Sequence, residues 1–164
     1  MNAARVRSGL VGCALFADVV DDGAVVDHLA EFCEVQSALA GEVVIREGSE
    51  GDRLFVILKG RVRIEKLTPA QDPYTVTVLD AGSFFGELSL LDRDIRSATI
   101  VAETACEFLV IDRERFLAFG DRHPGPALRL TRRVAERLCT RLRRANEDVV
   151  TLFGALVQEI EQRI

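Results

Sequence analysis

The sequence predicts a mainly β fold, a sandwich or jelly roll flanked by helices, and three observations carry that prediction. Short β-prone runs separated by glycine turns occupy residues 35–111. Ten of the twelve glycines lie before residue 121, and helix formers run almost unbroken after His123-Pro124-Gly125-Pro126. Strands at such short, regular intervals fit packed antiparallel sheets better than a parallel sheet with crossover helices. A chain of 164 residues, 48% apolar and 29% charged, can bury one core and is neither a disordered tail nor a membrane protein.

At the amino terminus Arg5 and Arg7 precede Leu10-Val11-Gly12-Cys13, which imitates a lipoprotein processing box. Only five residues separate Arg7 from Cys13, too few for the apolar core of an export signal, so none is read here. Val25, Leu29 and Phe32 recur at helical spacing, with Asp27, His28 and Glu31 on other faces. His28 therefore reads as a surface histidine.

The strands follow. Val43-Val44-Ile45 lies between glycines. Leu54-Phe55-Val56-Ile57-Leu58 ends at Lys59-Gly60, and Arg61-Val62-Arg63-Ile64-Glu65 alternates strictly, so the pair reads as a hairpin whose second strand has one wet face. Thr75-Val76-Thr77-Val78-Leu79, Ala98 to Ala102 and Phe108 to Ile111 supply three more. Beyond Pro124, Leu138, Leu142, Ala145, Val149, Leu152 and Leu156 alternate steps of four and three. Two readings of that long helix stay open, packing on its own domain and a helix–helix dimer seam.

Charge is segregated. Residues 1–123 hold 13 basic and 21 acidic residues (−8), residues 124–144 hold seven arginines against Glu136 (+6), and residues 145–164 return to −3. The total of −5 argues against a nucleic-acid surface spread over the whole protein. Two histidines argue against a His-rich metal site, and the four cysteines, 13, 33, 106 and 139, form no C-x-x-C pair. They read as reduced, mostly buried thiols of a cytoplasmic protein.

One segment stands apart, Phe84-Phe85-Gly86-Glu87-Leu88-Ser89-Leu90-Leu91-Asp92-Arg93-Asp94-Ile95-Arg96-Ser97-Ala98. It reads as a turn, a short helix from Gly86 anchored through Leu88 and Leu91, a polar loop, and an arginine entering a strand. The first amides of such a helix attract an anion, and Arg96 adds a bidentate clamp. Glu87 narrows the ligand. A carboxylate repels a terminal phosphate dianion but accepts from a ribose hydroxyl beside a singly charged phosphodiester. A cyclic nucleotide meets both demands; an internal Glu87–Arg96 pair is the alternative.

On this segment the sequence resembles the cyclic-nucleotide-binding domain family, which includes bacterial catabolite activators and protein kinase A regulatory subunits. Phe85 through Ala98 is similar to its phosphate-binding cassette, F-G-E-L-(A/S)-L-…-R-(S/T/A)-A. Gly48-Ser49-Glu50-Gly51-Asp52-Arg53-Leu54-Phe55-Val56-Ile57-Leu58-Lys59-Gly60-Arg61-Val62 is similar to the family's G-x-x-G-D-x-(L/F)-(Y/F)-x-I-x-x-G-x-V hairpin. The likeness runs from about Leu15 to about Arg144.

The resemblance implies a β jelly roll with an N-terminal helix, a short phosphate-cassette helix and a long C-terminal helix. Residues 1–123 would be the N-terminal helical segment and roll, and 124–164 a helical lid or dimerisation segment. It implies that Glu87 takes the ribose 2′-hydroxyl and Arg96 the cyclic phosphate. The amides of Gly86, Leu88 and Ser89, with Ala98 or the Ser97 hydroxyl, would complete the cradle. Ser97 favours cAMP without excluding cGMP. The activator's purine-contacting pair falls at Arg141-Leu142, with Thr140 a substitute one position earlier.

The expectation is thus a stand-alone regulatory module, not an enzyme, with no cofactor beyond its nucleotide and no membrane partner. It would signal to an unidentified protein effector or through a homodimer of its C-terminal helix. The 20 residues after Arg144 are too few for a helix-turn-helix domain, so no sequence-specific DNA binding is expected. The seven arginines of residues 129–144 spread around the helix and read as a solvated or acid-paired surface. A metal enzyme on a related jelly roll lacks its histidines, since His28 and His123 lie outside the strands. No nucleophile–base, H-E-x-x-H or P-loop motif is present. A scaffold that has lost ligand binding is the remaining alternative.

Overall fold

The structure, a computed structural model, describes residues 3–91 and 95–163. The chain divides into two units, residues 1–130 and 131–164. The first unit opens with helix α1 (Ala3–Gly12), a 3-10 turn (Ala14–Phe16) and helix α2 (Gly23–Glu31). Asp22 caps α2, its carboxylate accepting from the amides of Ala24 and Val25, which satisfies donors a helix start leaves open. Val25, Val26 and Leu29 are buried while His28 is exposed.

Among the described residues eight strands follow, β1 (Glu34–Ala38), β2 (Val43–Ile45), β3 (Arg53–Lys59), β4 (Arg61–Leu67), β5 (Pro73–Asp80), β6 (Phe84–Phe85), β7 (Thr99–Ala102) and β8 (Cys106–Asp112). They form two four-stranded antiparallel sheets, ordered β1-β8-β3-β6 and β2-β7-β4-β5. The expected jelly roll with flanking helices is what the chain adopts. The six strands read from the sequence are all present; β1 and β6 are additional.

One local expectation fails. β3 and β4 do not pair as a hairpin: β3 bonds β8 and β6, while β4 bonds β5 and β7. Gly60, at φ +90°, turns the chain from one sheet into the other. A Cβ there would lie 2.5 Å from the Ala105 carbonyl oxygen, so only glycine fits this corner. The hairpin is formed instead by β4 and β5.

The core lies between the sheets. Phe55, Ile57, Phe85, Phe108 and Val110 face Ile45, Val62, Ile64 and Ile100 in one buried cluster. Phe55 stacks on Phe85 with centroids 5.1 Å apart, and Phe108 meets both edge-on, arrangements that aromatic quadrupoles favour. Leu54 and Val56 point the other way and are equally buried, because α1 and the short helix α3 (Leu88–Leu91) lie against β3. That two-sided burial explains the unbroken apolar run Leu54–Leu58. Helix α4 (Arg113–Arg122), capped by the Asp112 carboxylate on the Arg115 amide, buries Phe116 and Phe119.

Helix α5 (Pro124–Glu161) is continuous for 38 residues, about 57 Å at 1.5 Å per residue. Pro124-Gly125-Pro126 forms its first turn, where proline sacrifices no helical hydrogen bond. Among the described residues no helix is long and apolar enough to cross a membrane.

Candidate functional site

The cassette begins where β6 ends. Gly86, at φ +77°, turns the chain out of the sheet, and its α-carbon faces two groups at once. A Cβ there would lie 2.6 Å from the Arg53 carbonyl oxygen and 2.9 Å from Arg96 Nη1. Glycine at this position is therefore both a conformational and a spatial requirement. Glu87 follows, only 2% exposed, a level a carboxylate reaches only when engaged by other groups.

Helix α3 starts at Leu88 and not at Gly86. Its inward face also differs from the expected one. Ser89 and Leu90 are buried, whereas Leu88 and Leu91 are exposed. In so short a helix the anchoring pair is adjacent, and the Leu90 carbonyl is held by Arg113 Nη1 at 2.7 Å. The Ser89 amide donates to the Gly86 carbonyl at 3.2 Å, so that amide serves the turn. The cassette's Asp92, Arg93 and Asp94 lie outside the described residues.

Arg96 is the centre of the site and is 8% exposed. Its Nη1 donates to Ser89 Oγ at 2.7 Å and its Nη2 to the Arg53 carbonyl at 3.0 Å. Its main chain is clasped as well: the Arg96 amide donates to the Ser49 carbonyl at 2.8 Å, and the Gly48 amide to the Arg96 carbonyl at 2.9 Å. Gly51 closes one side of the guanidinium so tightly that a Cβ there would be 1.9 Å from Nε.

Burial pulls the Arg96 guanidinium below its ordinary pKa; Asp52 opposes the shift, Arg53 adds to it, and Glu87 opposes it. Arginine stays charged under such a shift. The result is a cation held out of water at a desolvation cost that an approaching anion offsets. The two side-chain bonds use only part of the guanidinium fork, whose geometry suits paired oxygens of a carboxylate or phosphate.

The structure thus brings Gly86, Glu87, Ser89 and Arg96 together, with Leu88 at the rim. Ser97 is exposed in the bend after Arg96, and Ala98 is half-buried against the inter-sheet core. Thr140 and Arg141 lie in the second unit, exposed on α5, where the Thr140 hydroxyl donates to the Glu136 carbonyl at 3.0 Å. Gly48, Ser49, Gly51 and Arg53 were legible as a motif, but their work of seating Arg96 was not. The signal for it was the pair of glycines, Gly48 and Gly51, on either side of Ser49-Glu50, residues that let backbone approach another group closely. Among the described residues no cluster of three or more His, Cys, Asp or Glu could hold a metal.

The fold and site are those of a jelly-roll domain that sets a buried arginine and a buried glutamate about a glycine-led turn. The profile described as "Cyclic nucleotide-binding domain" matches residues 35–123, more than half of the sequence, and the chain belongs to that family. Human cGMP-dependent protein kinase 2 is 44% identical over 116 residues, covering 68% of this chain and 15% of the kinase. The catabolite activator protein of Thermus thermophilus superposes with TM-score 0.74 at 30% identity, over 84% of this chain and 62% of that one. A cyclic nucleotide-binding domain from Methylobacillus flagellatus KT gives TM-score 0.76 at 25% identity, over 90% and 82%. The chain spans less than a sixth of the length of the kinase.

Proposed function

We propose that the protein binds cAMP and works as a non-catalytic regulatory module whose output leaves through α5. The observation that carries this reading is the seating of Arg96, buried and oriented by Ser89 and Arg53 beside a buried Glu87. Arg96 takes the cyclic phosphate and Glu87 the ribose 2′-hydroxyl, with the Gly86 and Leu88 amides, the Ser97 hydroxyl and Ala98 around the phosphate. Ser89 acts through its hydroxyl, as the group that aims Arg96.

Ser97 after the arginine supports cAMP, and so does a solved structure described as cAMP-bound PfPKA-R (141–441), with TM-score 0.68 at 27% identity. cGMP is the second reading, supported by the kinase relative named above. The signal would pass from α5 to a protein effector or to a second copy of the chain.

Calorimetric titration with cAMP, cGMP and cyclic dinucleotides tests the proposal. A hydrogen bond to a charged group contributes about 1.5–3 kcal/mol, so Arg96→Ala should weaken cAMP binding at least about 10- to 150-fold while the roll stays folded. Unchanged affinity in that variant, or no binding of any cyclic nucleotide by the wild-type protein, would overturn it.

A further inference from the structure

The two walls around Arg96 come from distant parts of the chain. One is the cassette, where Ser89 Oγ accepts from Arg96 Nη1. The other is the segment leading into β3, where the Arg53 carbonyl accepts from Nη2 and Gly51 closes on Nε. Arg96 keeps both bonds only while the walls stand at one separation, because hydrogen bonds weaken steeply outside a narrow range of distance and angle.

Arg113 lies outside both walls and bonds to each of them. It is the first residue of α4, and its amide donates to the Asp52 carbonyl at 2.7 Å. Its Nη1 donates to the Leu90 carbonyl, also at 2.7 Å. Asp52 sits between Gly51 and Arg53, and Leu90 follows Ser89. Each bond therefore lands one residue from a group that touches Arg96. Both also answer needs of the backbone. The first amide of α4 has no acceptor within its own helix, and the carbonyls that end α3 have no donor within theirs. Arg113 Nε, by contrast, is buried with no hydrogen-bond partner among the described residues. That orphan donor carries a desolvation cost that offsets the gain of the Leu90 bond, so little net stability is expected from the side chain.

We infer that Arg113 is a positioning residue of the anion seat. Its amide holds Asp52, its guanidinium holds Leu90, and together they fix the separation of the walls that aim Arg96. This role rests on the cyclic-nucleotide reading of the site and adds to it a residue that never touches the ligand.

Arg113→Met tests it, since the variant keeps the main-chain bond and most of the aliphatic stem and loses the side-chain bond alone. Calorimetric affinity for cAMP should fall about tenfold, the low end for one charge-assisted bond, while the melting midpoint shifts by less than about 4 °C. In an Arg96→Ala background the same change should cost almost nothing further, because its effect reaches the ligand through Arg96. Wild-type affinity in Arg113→Met, or an equal loss in both backgrounds, would overturn the inference. Hydrogen exchange of the nucleotide-free protein separates this role from the identity of the ligand. The amides of Ser89, Leu90 and Arg96, which bond the Gly86, Glu87 and Ser49 carbonyls, should exchange about tenfold faster in Arg113→Met. Faster exchange in a protein that binds no cyclic nucleotide would refute the ligand and support the positioning role; unchanged exchange would overturn the positioning role whatever the ligand.

Discussion

A methyl group added at Gly51 would point into the Arg96 guanidinium, with its carbon 1.9 Å from Nε, 2.4 Å from Cζ and 2.6 Å from Nη2. Ordinary contact begins at 3.4 Å, so the guanidinium must retreat by about 1.5 Å. Its bonds to Ser89 and Arg53, now 2.7 and 3.0 Å, cannot both survive such a shift. The fold should tolerate it. Gly51 is not in the left-handed region, and the atoms that must yield are the far end of a flexible side chain. Gly51→Ala should change stability by less than about 1 kcal/mol. Cyclic-nucleotide affinity should fall about 10- to 150-fold, the equivalent of one charge-assisted bond. Titration calorimetry and thermal melting measure the two quantities separately. If Gly51 acts through Arg96, adding Gly51→Ala to Arg96→Ala should cost almost nothing more, because the two changes share one interaction. Wild-type affinity in Gly51→Ala, or an equal further loss in the double variant, would refute the reasoning.

Glu87→Ala should weaken cAMP more than 2′-deoxy-cAMP, because only the former offers the carboxylate a hydroxyl; equal losses in calorimetry would assign Glu87 to Arg96 alone. With a thiol reagent at pH 8, one cysteine of the native protein, Cys139, should react rapidly, the other three only after denaturant. Burial pushes the Cys33 thiol up to about 12 from an unfolded value near 9. Its contribution is therefore complete below pH 9 and is lost as pH rises through about 12, and Cys33→Ala should flatten the melting curve's decline over that window.

The parts of the molecule most legible in the sequence were those where one local pattern decides. Alternation in Arg61–Glu65 gave β4, and the cassette residues Gly86, Glu87 and Arg96 stood out by their chemistry. β1 was missed because Glu34–Ala38 holds only two apolar residues and depends on β8 for its pairing. β6 is two residues long, below any periodicity. Helix α1, the first of the two before the strands, was hidden by its likeness to a processing signal, although Val6, Leu10 and Cys13 are spaced as one buried face. The false hairpin at Gly60 marks a deeper limit. A glycine turn between two strands looks the same whether the strands pair or part company into different sheets. The seating of Arg96 was illegible for a related reason, since its main-chain partners at Arg53, Ser49 and Gly48 lie 43 to 48 residues away in sequence.

That separation also bears on how the domain folds. The clasp of Arg96 on Gly48 and Ser49 closes a loop of nearly fifty residues, which contains β3 to β6. Loop closure of this length is entropically opposed until the intervening strands are in place. A roll in which this loop is open lacks the backbone clasp that seats Arg96. A ligand bound at this seat therefore stabilises the closed roll over every form in which the loop is open.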